Sequence, residues 1–234
     1  MELQHIEAFT SASETLRVAV LLPCYNEALV IGTVIERFHA AIPYSTIYVY
    51  DNNSTDNSAE VARRAGAVVR GEPRQGKGFV MRRMFSDIEA DVFVICDADD
   101  TYDASMAMDL VDRLVGEGLD MLVATRLDIS GNAYRPAHKF GNWLLTSLVG
   151  AIFGSGFSDI LSGYRVFSRR FVKSFPQMAQ GFEIETELTI HALQLEMPAS
   201  EMPTHFKDRV VGSNSKLQTV SDGMVLRRRL SIKV

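Results

Sequence analysis

Val92-Phe93-Val94-Ile95-Cys96 runs without a polar residue into Asp97-Ala98-Asp99-Asp100. A continuous apolar run of this kind reads as a strand buried on both faces, the condition met in a parallel sheet covered by helices. The acids that follow repel one another unless a cation or basic groups balance them. In an open α/β sheet, ligands bind beyond the carboxyl ends of the strands. Carboxylate oxygens at such a place suit Mg2+ or Mn2+, held by one or two carboxylates plus substrate phosphates. Taken alone, the same acids also describe a turn capping the next helix.

The neighbouring sequence repeats the pattern of strand and helix. Arg17 to Leu22 reads as a strand, Ala28 to Ala41 as a helix, and Thr46 to Tyr50 as a second strand rich in β-branched and aromatic residues. Thr55 to Ala65 reads as a helix capped by Ser54 or Thr55 and ended by Gly66. A short strand, Ala67 to Arg70, leads through a Gly-rich loop to a helix ending near Glu89. A helix from about Ala104 to Val115 and a strand from Asp120 to Ala124 complete the series. The expected fold class is α/β, a mostly parallel sheet with helices on both faces. From Arg126 the pattern loosens into a polar loop to Pro136, an apolar helix and shorter elements.

Composition narrows the functional classes. A chain of 234 residues, 47% apolar, buries one substantial core, so a single domain over 1–234 is expected. A net charge of -5 leaves no basic footprint for nucleic acid. Cys24 and Cys96 fall in or beside strands and read as small core residues, as in a reducing cytoplasm. Met1 to Thr15 lacks the apolar core of a signal peptide. The longest apolar candidate, Trp143 to Phe153, is broken by Thr146, Ser147 and Gly150 and is too short to span a bilayer.

Four strand-end loops carry polar residues beyond what folding asks. In Pro23-Cys24-Tyr25-Asn26-Glu27, Asn26 is suited to a base or ribose edge, with Tyr25 in support and Glu27 as acceptor; a plain helix cap is the alternative. In Asp51-Asn52-Asn53-Ser54-Thr55-Asp56, Asp51 is placed to accept from ribose hydroxyls or a base N–H, and the rest reads mainly as capping. In Arg74-Gln75-Gly76-Lys77-Gly78, the glycines allow close backbone approach to a ligand and Lys77 brings positive charge. This is not a Walker A loop, and no Gly-x-Gly-x-x-Gly follows the first strand. The acidic loop is the fourth.

Together these loops resemble the family 2 inverting glycosyltransferases of the GT-A fold, in particular the dolichyl- or polyprenyl-phosphate sugar transferase branch. The matching text is Pro23-x-Tyr25-Asn26-Glu27, Asp51-x-x-Ser54-Thr55-Asp56, Arg74-x-x-Gly76-Lys77-Gly78, Asp97-Ala98-Asp99, Asp159-x-x-Ser162-Gly163-Tyr164-Arg165 and Arg209-x-x-Gly212-x-x-Ser215-Lys216-Leu217. The resemblance runs from about Arg17 to Leu226. It implies a Rossmann-like GT-A domain whose nucleotide-sugar half covers about 17–125 and whose acceptor half covers about 126–226, before a basic tail at 227–234.

By the same resemblance, Pro23, Tyr25, Glu27, Asp51, Asn53, Lys77, Asp97 and Ala98 line the nucleotide-sugar pocket. Asp97 and Asp99 bind the metal, Mg2+ or Mn2+, bridging the donor's phosphates. The branch often has glutamine two residues beyond the second aspartate; Thr101 stands there, and Asp100 is the candidate replacement ligand. Arg126, Arg135 and Ser162 face the acceptor, and Arg165 contacts a phosphate. Arg209, Ser215 and Lys216 belong to a lid that excludes water.

The implied reaction moves a hexose from a UDP- or GDP-sugar to polyprenyl phosphate in cell-envelope glycan or glycoconjugate biosynthesis, at the cytoplasmic face of the membrane. A phosphate monoester is already anionic near neutral pH, so it needs no general base. A sugar hydroxyl does need one, and Asp159 is then the candidate, with Glu183 and Glu185 as competitors. Leu226-Arg227-Arg228-Arg229-Leu230 and the helix from Trp143 are the candidate membrane-facing segments. A nucleotidylyltransferase and a non-catalytic nucleotide-sugar-binding protein are the alternatives from other classes.

Overall fold

The computed structural model describes residues 16–128, 142, 146–147, 149–151, 154, 156–176, 178–181 and 183–210. Its strands are β1 (Val18–Cys24), β2 (Thr46–Asp51), β3 (Val68–Gly71), β4 (Val92–Ile95), β5 (Met121–Asp128), β6 (Arg165–Ser168) and β7 (Ala199–Phe206). Its helices are α1 (Ile31–Ala41), α2 (Ser58–Arg64), α3 (Lys77–Asp87), α4 (Ala107–Gly116), α5 (Arg169–Ser174) and α6 (Ile184–Gln194), with a 3-10 turn at Ala104–Met106 before α4. The strands form one sheet in the order β3-β2-β1-β4-β6-β5-β7. β6 runs antiparallel to both neighbours, and the other strands are parallel.

Side chains of β1 alternate between two cores, as a strand buried on both faces must. Val18, Val20 and Leu22 pack with Ile31, Val34, Ile35 and Phe38 of α1 and Leu110, Val111 and Leu114 of α4. Ala19 and Leu21 face the opposite layer, with Val80, Met81, Met84 and Phe85 of α3 and Ile184 and Leu188 of α6. Cys24 and Cys96 are free and buried. Burial, then the charge of Asp51, pushes the Cys24 thiol up to about 12.

Three boundaries differ from expectation. α1 begins at Ile31, because Glu27 O receives the Val30 and Ile31 N–H groups in a turn that delays the helix. α2 begins at Ser58, and Asp56 accepts from its backbone N–H at 2.9 Å, so neither Ser54 nor Thr55 caps it. β5 continues to Asp128 through Thr125 and Arg126, paired residue by residue with β7. Those polar residues hid the strand from a pattern reading, and they place Arg126 on the sheet instead of in a loop. The expected helix from Phe140 to Phe153, like the polar loop before it, lies largely outside the described residues.

Candidate functional site

The carboxyl ends of β1, β2 and β4 converge, and their loops tie to one another. Asn26 N–H donates to Ser54 Oγ at 2.9 Å, and Asn26 Oδ1 accepts from Thr55 N–H at 2.7 Å. Asn26 therefore joins the first loop to the second and is not held out for a base. Asn52 does the same for the third loop: its amide donates to Glu72 O and Arg74 O and accepts from Gly76 N–H at 2.8 Å. Asn26, Asn53 and Asp100 have positive φ of 54°, 63° and 60°. Left-handed backbone at non-glycine residues is a cost that clusters at working sites.

Asp97 lies just beyond β4, with about a third of its side chain exposed. Lys77, the first residue of α3, donates to Asp97 Oδ1 at 2.5 Å and also to Glu185 Oε1. Burial opposes the ammonium charge, but the two carboxylates outweigh it and raise the Lys77 pKa. Gly163 packs under Asp97 so closely that a Cβ would overlap the carboxylate. Gly163 N–H in turn donates to Tyr102 Oη at 2.8 Å. Gly163→Ala is expected to move Asp97 and lower turnover about 100-fold, because an ångström of misplacement costs that much. Steady-state kinetics beside a thermal unfolding midpoint checks it; unchanged kinetics would remove the argument.

Asp99 is buried, 5% exposed. Its Oδ1 accepts from Thr101 N–H at 3.2 Å and Thr101 Oγ1 at 2.6 Å. Burial, then the charge of Asp97, raises its pKa. Arg209 bridges Asp99 Oδ2 and Glu27 Oε1. Asp100 does not replace the missing glutamine. Its carboxylate is taken by Arg37 and by Lys207 Nζ at 2.8 Å.

Two carboxylates of one loop, one of them partly open and the other drawing a guanidinium, fit a hard divalent cation. No group of three or more His, Cys, Asp or Glu that would hold a metal occurs among the described residues. Asp97 and Asp99 would therefore share such an ion with donor phosphates, a usual arrangement for Mg2+.

Several expected contacts are internal instead. Gly76 and Gly78 leave room for another segment of the chain and not for a ligand: Gly78 N–H donates to Gln180 O at 3.0 Å, and a Cβ would overlap the Ala179 carbonyl. Asn53 Nδ2 donates to Pro73 O at 2.8 Å, tethering a loop. Ser162 is fully buried, its Oγ donating to Ala124 O at 2.6 Å, so it does not face an acceptor. Arg165 is 2% exposed and donates to Ser162 O, Ile160 O and Thr189 Oγ1 at 3.0, 2.5 and 2.9 Å. It braces the loop below Asp97, with these donors spent inside the fold; burial brings its pKa down to about 10.

Asp159 accepts from Arg126 Nε and Nη2 at 2.8 and 2.6 Å, from Arg126 N–H at 3.2 Å, and from Asn142 at 3.0 Å. Arg126 also lies over the Phe206 ring, 5.6 Å from its centroid. Glu183 accepts from Gln180 and Gly181 N–H, and Glu187 from Met178 and Ala179 N–H, so both organise the loop before α6. Asp51 Oδ1 is buried with no hydrogen-bond partner, and its Oδ2 accepts from Ser54 N–H. Pro23 and Tyr25 are half-buried and Ala98 is buried. Arg135, Ser215, Lys216 and the arginines at 227–229 lie outside the described residues. Arg37, Tyr102 and Lys207 went unread in the sequence, since their partners are dozens of residues away and no motif marks them.

The Glycosyl transferase family 2 profile matches residues 19–175, well over half of the chain. The chain belongs to glycosyltransferase family 2. Glycosyltransferase AglJ of Haloferax volcanii is 33% identical over 211 residues, spanning 89% of this chain and 69% of that protein. Protein RfbJ of Shigella flexneri is 48% identical over 126 residues, 53% of this chain and 98% of that protein. A dolichyl-phosphate hexose transferase of Haloferax volcanii is 23% identical over 213 residues, 91% and 92% of the two chains. Mannosyl-3-phosphoglycerate synthase from Rubrobacter xylanophilus superposes with a TM-score of 0.76 at 26% identity, covering 95% of this chain and 77% of that one. Glucosyl-3-phosphoglycerate synthase from Mycobacterium tuberculosis, solved with Mn2+, UDP-glucose and phosphoglyceric acid, shares the fold with a TM-score of 0.73 at 22% identity, covering 95% and 81%. The sheet is thus that of the GT-A enzymes, and the glycosyltransferase shows no helix among its described residues long and apolar enough to cross a membrane.

Proposed function

We propose that this glycosyltransferase moves a hexose from a UDP- or GDP-sugar to a polyprenyl phosphate, inverting the anomeric configuration, at the inner face of the membrane in cell-envelope glycan or glycoconjugate assembly. The observation that carries the acceptor is the state of Asp159. Its carboxylate already receives the Arg126 fork and Asn142, so it is poorly placed to take a proton from a sugar hydroxyl. A lipid monophosphate brings its own anionic oxygen and asks for no such base. The dolichyl-phosphate hexose transferase of Haloferax volcanii supports the same acceptor class.

On the donor side, Asp51 offers a buried carboxylate oxygen with no partner, suited to a ribose hydroxyl or base N–H. Pro23, Tyr25 and Ala98 would shape the pocket around it, and Lys216 would join Arg209 on the diphosphate. Asp97 and Asp99 would hold Mg2+ or Mn2+, which supplies Lewis-acid stabilisation of the departing nucleoside diphosphate. Arg209 now binds Asp99 and Glu27, and it would turn to the diphosphate as the segment after β7 closes and excludes water. Arg135 would grip the acceptor phosphate, a role that suits guanidinium forks, and Arg126 would add positive charge there without leaving Asp159. Residues 17–125 would thus serve the donor and 126–226 the acceptor, and the basic tail at 227–234 would meet anionic lipid.

The test is a donor screen with Mn2+ or Mg2+ and a short polyprenyl phosphate, following nucleoside diphosphate release. Release that requires both metal and lipid phosphate is the expected result. Donor binding with no stimulation by lipid phosphate would overturn the acceptor, and Asp159→Asn with saccharide acceptors would then be examined.

A further inference from the structure

Lys77 and Glu185 are separated by 108 positions and meet behind the donor site. Lys77 is 9% exposed and Glu185 8%, whereas Asp97, on the other side of the ammonium, is 30% exposed. The arrangement is a chain of three charges in which Asp97 is the member most open to solvent. A cavity of about 10 Å3 lies between Lys77, Glu185, Ser162, Gly163 and Arg165, room for about one water. Arg165 is the second buried cation, and Glu185 is the main acid acting on it. Lys77 is thus balanced by Asp97 and Glu185, and Arg165 by Glu185 and then Asp159.

The position of Glu185 is built with care. Glu183 and Glu187, on either side of it, hold the backbone of residues 178–181. That loop receives Gly78 N–H from the first turn of α3. The starts of α3 and α6 are therefore tied together through that loop, which keeps Lys77 and Glu185 within reach of each other.

We propose that Glu185 is a positioning residue that sets how much negative charge Asp97 offers to a divalent cation, by holding a share of the Lys77 ammonium. The inference rests on the reading of Asp97 and Asp99 as the cation-binding pair. With Glu185 charged, the ammonium is divided between two carboxylates, and Asp97 keeps part of its charge for the cleft. With Glu185 neutral, the ammonium falls wholly to Asp97 and competes with the cation. Residues behind metal ligands commonly tune affinity by about 10- to 100-fold.

The experiment measures Mn2+ binding to the whole protein with saturating UDP or GDP, whichever the donor screen selects, from the paramagnetic resonance signal of the free ion, the nucleotide's own Mn2+ binding being measured separately. Glu185→Gln is expected to weaken Mn2+ about tenfold. Glu187→Gln braces the same loop without touching Lys77, and is expected to leave binding unchanged. The double variant Lys77→Met with Glu185→Gln removes both charges of the buried pair and frees Asp97, so Mn2+ affinity is expected to return to the wild-type value or exceed it. Wild-type affinity in Glu185→Gln overturns the inference, as does an equal loss in Glu187→Gln. If Glu185→Gln does not fold, the double variant decides: affinity at or above wild type supports the charge-sharing role, and a tenfold loss overturns it. If the wild-type protein with nucleoside diphosphate binds no Mn2+ beyond what the nucleotide binds alone, the cation-pair reading itself is overturned, and the inference with it.

Discussion

Asp99→Asn is expected to lower kcat/KM about 1,000-fold, about 4 kcal/mol of transition-state stabilisation. The substitution keeps the shape of the side chain. An amide oxygen can still accept from Thr101 Oγ1 and Thr101 N–H, now at 2.6 and 3.2 Å. What disappears is the charge that would hold a divalent cation beside Asp97. Stability is expected to respond in the other direction, or hardly at all. Burial and the neighbouring Asp97 both disfavour the Asp99 carboxylate and raise its pKa, so removing the charge relieves repulsion. Arg209 keeps Glu27 as a partner. A thermal midpoint within a few degrees of wild type, with activity lost, is the predicted combination. Activity within tenfold of wild type would remove Asp99 from the machinery.

Arg165→Met is expected to lower unfolding free energy by about 3–5 kcal/mol, the range seen when one side of a buried charged network is deleted. Ser162 O, Ile160 O and Thr189 Oγ1 all lose their donor, and buried acceptors left without partners carry their full desolvation cost. Glu185 loses a balancing cation as well. Denaturant unfolding measures the loss directly. A stability change below about 1 kcal/mol together with lost turnover would return Arg165 to a phosphate-binding role. That result would contradict its burial here.

These two residues show what could and could not be read from the linear sequence. The place of Asp99 just beyond β4 was legible because its signal is local: an apolar strand and its acids are adjacent, and strand ends are where an α/β sheet opens. Arg165 was misjudged because its neighbours in the chain look like a site motif. Whether a guanidinium points to the cleft or the core depends on Ile160, Thr189 and the sheet position of β6. The same limit explains Ser162, and it explains Gly76 and Gly78, whose close neighbours are the carbonyls of residues 179 and 180. Asp100 looked like a spare metal ligand until Arg37 and Lys207 claimed it from elements 63 and 107 positions away.

The sequence by itself determined the α/β alternation, the two-sided burial of the central strands, the family, and the four loops that meet at their carboxyl ends. Each follows from neighbouring residues, through period-two burial and short motifs whose chemistry is carried locally. Tertiary structure alone decided the antiparallel insertion of β6 and the extension of β5 through Arg126. It also decided how the charges are shared: Lys77 between Asp97 and Glu185, Arg209 between Asp99 and Glu27, and Arg126 on Asp159. The reason is physical. A buried charge takes its state from whichever opposite charge lies within a few ångströms, and in this fold that partner is usually many residues distant in the chain.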